Sequence, residues 1–134
     1  MLKKIGNAIL SLILMIASFF ISGCNNTTTN NNTSNINNII RYDLVEYYYD
    51  YEQVNVSETF DYYYVEFNLD NKEYKLDWCK INTNTPTITY GTFVETENQY
   101  IVSVNGLSMS YIKKDSETIE CRVFTDLFIL KKAK

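Results

Sequence analysis

From about Ile40 onward, apolar side chains recur at every second position, and the turns between these runs are short. A period of two belongs to strands with one face buried, and helices cannot sustain it. Val65, Phe67 and Leu69 share a face with Asp61 and Tyr63, while Tyr62, Tyr64, Glu66 and Asn68 take the other. Tyr74, Leu76 and Trp78 alternate with Lys75, Asp77 and Cys79. Ile88, Tyr90, Thr92 and Val94 form a further set, as do Tyr100, Val102 and Val104, then Leu107, Met109 and Tyr111, then Ile119, Cys121 and Val123. Asn105-Gly106 is a strong hairpin signal, because a type I′ turn needs positive φ at both central residues. Asp70-Asn71-Lys72, Glu95 to Asn98 and Asp115-Ser116 carry turn chemistry, and Asn82 to Pro86 reads as a loop. About eight short strands follow one another with no helix predicted between them. Consecutive strands on short turns pair antiparallel. A small sheet of this kind hides its edges by closing, so the expected fold is all-β, an antiparallel meander or up-and-down barrel over residues 40–134.

The start of the chain has a different character. Lys3 and Lys4 precede an apolar run from Ala8 to Ile21, and Ser22 and Gly23 follow it. A basic start, a short apolar core and small residues at its end make a secretory signal. The run is short for a transmembrane helix, which needs roughly 20 apolar residues. Ile21-Ser22-Gly23-Cys24 resembles the lipobox of bacterial lipoproteins: an aliphatic residue, two small residues, then cysteine. The resemblance implies a signal peptide over 1–23, cleavage before Cys24, a diacylglyceryl group on its thiol and often a further acyl chain such as palmitate on the new amino terminus. Each buried CH₂ contributes about 0.8 kcal/mol, so two or three chains anchor durably where one does not. The expected location is extracytoplasmic, on the cell membrane or the outer membrane.

Residues 24–39 read as the lipidated cysteine and a tether. Asn and Thr dominate, and Ile36 is the sole apolar side chain between Asn25 and Asn38. Such a stretch cannot offset the entropy of ordering. As a flexible chain it would hold the domain roughly 20 Å from the lipid.

The full chain carries a net charge of −4, and loss of Lys3 and Lys4 would make it more acidic. This balance argues against a nucleic-acid partner, which calls for basic clusters. The chain has no histidine, so Ser–His–Asp and Cys–His nucleophile systems cannot be built. With Cys24 lipidated, Cys79 and Cys121 remain, without a Cys-x-x-Cys or histidine companion, so neither a zinc site nor a cofactor is expected. In an exported domain these two are a candidate disulfide, whose closure would stabilise by roughly 4 kcal/mol. Two buried free thiols are the other arrangement.

Carboxylates are the remaining catalytic resource, and Glu46, Asp50, Asp61 and Glu66 are the candidates. Acids alternating with tyrosines more often mark a solvated strand face, so no enzymatic activity is expected. The tyrosines say more. Twelve are present, with runs at Tyr47 to Tyr49 and Tyr62 to Tyr64. Neighbours in a strand point to opposite faces, so each run places aromatics both inside and outside. Tyr48 and Tyr63 are the candidate contact residues for a protein or glycan partner, against plain cross-strand pairing.

The segment Gly91-Thr92-Phe93-Val94, Tyr100 to Gly106, Met109-Ser110-Tyr111, Thr118-Ile119-Glu120 and Phe128 to Lys132 resembles the end of small lipocalin-like lipoprotein domains. The Gly-x-Trp that opens such barrels is missing, and Trp78 lies mid-domain. The expected function is a non-enzymatic binding module of lipocalin-like type, whose barrel holds a small apolar ligand or is simply filled. The alternative is a surface interaction protein, an adhesin or inhibitor, working through its tyrosines.

Overall fold

The computed structural model describes residues 38–134. The expected signal peptide, Cys24 and most of the expected tether lie outside the described residues. Nine strands form one antiparallel sheet: β1 (Ile39–Tyr49), β2 (Glu52–Val54), β3 (Phe60–Asn68), β4 (Glu73–Lys80), β5 (Pro86–Glu95), β6 (Gln99–Val104), β7 (Leu107–Lys113), β8 (Thr118–Val123) and β9 (Asp126–Lys132). Each of β3 to β8 pairs with the next, β1 pairs with β3, and β9 returns to β1 through Leu44↔Leu130 and Tyr47↔Phe128. The result is a closed eight-stranded barrel with β2 as an extra strand on β1. Closure leaves β1 and β9 no free edge between them, the outcome expected for a sheet this small.

The chain meets that closure with aromatic bulk. Tyr42, Phe67, Tyr74, Trp78, Phe93, Tyr100, Tyr111 and Phe128 all point inward and are buried. An eight-stranded barrel has an interior that side chains can fill, and here rings fill it. Phe67 stacks on Tyr100 with centroids 4.2 Å apart, and Phe128 stacks on both Tyr47 and Tyr63. Pairs of this kind contribute about 0.5–1.5 kcal/mol each beyond the area they bury. At the centre the hydroxyls of Tyr74 and Tyr111 lie 2.6 Å apart, so two buried polar groups satisfy each other.

The turns follow local chemistry. Asn105 and Gly106 have φ of 51° and 80°, the two positive values a type I′ turn needs. In the β3–β4 turn the left-handed position falls on Lys72 and not on Asn71, whose side chain instead accepts from the Glu73 amide. The alternating set Ile88, Tyr90 and Val94 is exposed, and Thr89 and Phe93 point inward. Gly91 shares this inner face: a Cβ there would lie 2.4 Å from the Ser103 carbonyl oxygen. The absent side chain lets β5 and β6 approach at that point.

One short helix interrupts the strands. α1 (Val56–Thr59) is a single turn whose N-cap, Asn55, accepts from the Ser57 amide and donates to Glu58. Asn55 and Glu58 stand three residues apart, the spacing of a capping box.

Candidate functional site

β1 and β3 are hydrogen-bonded only along part of their length. Pairing runs from Ile39↔Asn68 to Asp43↔Tyr64 and stops there. Four residues later β1 has a new neighbour, β2, through Tyr47↔Val54. Between these points the barrel wall parts into a wedge. Both lips carry a bulge. The β1–β9 register shifts between Leu44 and Glu46, leaving Val45 extra, and the β3–β4 register shifts between Phe60 and Tyr62, leaving Asp61 extra. A bulge bends its strand and adds local twist. Two facing bulges therefore turn β1 and β3 away from each other, and the segment from β2 through α1 bridges the gap they leave.

The wedge is an open groove of about 780 Å³. Its apolar lining comes from Leu44, Val45, Val54, Val56, Phe60 and Tyr63. Asp43, Glu46 and Asp61 bring carboxylates to it, and no basic side chain lines it. Asp43 is held by the Arg41 guanidinium at 2.7 Å, and Glu46 accepts from the Tyr48 hydroxyl at 2.9 Å. Behind the groove the Phe60 ring meets Trp78 edge-on, centroids 6.0 Å apart. Among the described residues the buried indole Nε1 of Trp78 has no hydrogen-bond partner.

Above the wedge a polar network pins the last paired stretch. Tyr64 donates to Asp77 at 2.7 Å and accepts from Lys75 at 3.0 Å, and Lys75 also meets Asp77 and Glu66. The Arg41 guanidinium lies over the Tyr64 ring. Burial works against the charge of Asp77, but donation from Tyr64 and Lys75 prevails and holds its carboxyl below the usual range. At the far end of β1, Asp126 accepts from the Tyr47 hydroxyl and the Asp50 amide, and burial raises its carboxyl above the ordinary value.

The residues singled out from sequence are dispersed by the fold. Tyr48 is half-buried on the outer face of β1. Tyr63 is not on the outer surface: at 9 % exposure it belongs to the core, stacked on Phe128. It follows the parity of Val65 and Phe67, and the outward members of its run are Tyr62 and Tyr64. Cys79 and Cys121 are free and buried, and the disulfide considered for them is not formed. In β4 Cys79 shares the outer parity of Asp77, whereas Cys121 shares the inner parity of Ile119, so the barrel wall stands between the thiols. Of the four acids, Glu46 and Asp61 meet at the wedge, Glu66 joins the Lys75 network, and Asp50 sits in the β1–β2 turn. Among the described residues no cluster of His, Cys, Asp and Glu is arranged to hold a metal ion. Sequence reasoning missed the wedge. Its traces are the break in alternation between Leu44 and Tyr47 and the capping pair Asn55 and Glu58.

No family model matches this chain, and neither a curated protein nor a solved structure does so.

Proposed function

We propose that this chain is a lipid-anchored, extracytoplasmic, non-enzymatic binding module that takes a small apolar ligand in the wedge between β1 and β3. The observation that carries the reading is the pair of facing bulges at Val45 and Asp61, which open an otherwise closed barrel beside an apolar lining. Bulges at such places commonly serve a site and not the sheet. With aromatic rings filling the barrel centre, the ligand sits in the wall and not in a central chamber. The anchor rests on Ile21-Ser22-Gly23-Cys24.

Two measurements test this. Protein extracted from membranes should have the mass of a lipidated chain beginning at Cys24, and Cys24→Ser should abolish that product. A neutral apolar dye such as N-phenyl-1-naphthylamine should brighten on binding, and Val45→Lys should weaken the response. An unprocessed mass would remove the anchor. A dye response indifferent to Val45→Lys would remove the site.

The outer sheet supports a second reading, a surface for a protein or glycan. Tyr62 on β3 and Ile88 and Tyr90 on β5 are exposed on the two strands that flank β4. Replacing Tyr62 and Tyr90 by Ser should then abolish attachment to cells or matrix, and unchanged attachment would end this alternative.

A further inference from the structure

We infer that the wedge selects a ligand that joins a short apolar body to an organic cation. The inference rests on the reading of the wedge as a ligand site and adds the chemical class. Three carboxylates, Asp43, Glu46 and Asp61, line the groove, with no lysine or arginine among the lining residues. Arg41 neutralises Asp43 from outside the groove. Glu46 receives only a neutral hydroxyl, from Tyr48. Asp61 is exposed on the bulge of β3. Among the described residues two lip carboxylates therefore have no cation beside them, one from each strand, Glu46 on β1 and Asp61 on β3. Phe60, Tyr62 and Tyr63 also line the groove, Tyr62 from the outer face of β3 and Tyr63 from the core side. An aromatic face attracts a quaternary or primary ammonium through its quadrupole, most strongly where water is partly excluded. Carboxylates at the rim raise the local concentration of cations and repel anions. An anionic amphiphile of the same size would meet repulsion at both lips. A neutral one would gain only the apolar contact.

Trp78, the sole tryptophan, provides the readout because its ring abuts Phe60 behind the groove. The full chain, extracted in neutral detergent, is titrated with butyltrimethylammonium, butanol and butanesulfonate while Trp78 fluorescence is followed. The cation should bind at least about fivefold tighter than butanol, and the sulfonate most weakly. Glu46→Gln and Asp61→Asn should each lower the affinity for the cation. Asp61→Lys, a change at an exposed position, should invert the order and favour the sulfonate. Thermal unfolding of each variant separates a lost site from a lost fold. Equal affinity for the cation and butanol would overturn the cationic preference and leave the apolar site standing. No response to any of the three probes, in a chain whose dye binding also ignores Val45→Lys, would overturn both.

Discussion

Tyr74 and Tyr111 face each other across the barrel centre, one from β4 and one from β7, with their hydroxyl oxygens 2.6 Å apart. Both side chains are fully buried, and burial raises both phenols well above their ordinary range. Removing the Tyr111 hydroxyl takes away the Tyr74 partner, and removing that of Tyr74 leaves Tyr111 only its contact with the Tyr63 hydroxyl. Tyr74→Phe and Tyr111→Phe should each cost about 1–3 kcal/mol, and the double variant should cost less than their sum. Urea unfolding of the four proteins checks this, and strict additivity would show that the hydroxyls act independently.

The two barrel cysteines should be inert until the chain unfolds. Cys79 is 4 % and Cys121 3 % exposed. Burial pushes the Cys121 thiol up to about 12, so almost no thiolate exists at neutral pH. Folded protein should therefore resist iodoacetamide at both positions, and denatured protein should take up label at both without any reductant. A requirement for reductant would reveal a bond the fold does not contain.

Asp77 gives a pH dependence of defined sign. Its folded carboxyl lies below the ordinary value, so the stabilisation is present above the unfolded-state range and is lost as pH falls through the folded value. Asp77→Asn should cost about 1.5–3 kcal/mol at neutral pH, the range for hydrogen bonds to charged groups. The gap between variant and wild type should shrink toward strongly acid pH. A gap that widens in acid would reverse the assignment.

Gly91 is the point where β5 and β6 come too close for a side chain. Gly91→Ala would put its Cβ against the Ser103 carbonyl oxygen and the Val104 side chain. Because backbone must move, the cost should be about 1–3 kcal/mol or more. Gly106→Ala, at a turn with open space but φ of +80°, should be destabilising through strain and not through contact. Thermal unfolding of both variants compares the two mechanisms.

Much of the barrel is legible along the chain. Inward Tyr74, Leu76 and Trp78, inward Tyr100, Val102 and Val104, and the Asn105-Gly106 hairpin are local facts: the pleat sets the first two and the φ requirement of a tight turn sets the third. Short turns between successive strands force antiparallel pairing, and the need to hide edges favours closure. The orientation of Tyr63 was legible too, because it keeps step with Val65 and Phe67. β5 was harder. Its more apolar set, Ile88, Tyr90 and Val94, faces out, since Gly91 on the inner face allows a close approach that hydrophobicity does not encode.

By itself, then, the sequence determined the strand class, the turns and the acidic, histidine-free inventory, because each depends on residues adjacent in the chain. The tertiary structure alone decided where the wall opens and what lies on either side of it. A bulge exists only relative to a partner strand: Val45 is extra against β9, and Asp61 is extra against β4. Cys79 and Cys121 lie on opposite faces for the same kind of reason. Parity along one strand is a local property, but which face becomes the interior is fixed only when β9 pairs with β1 and the sheet closes.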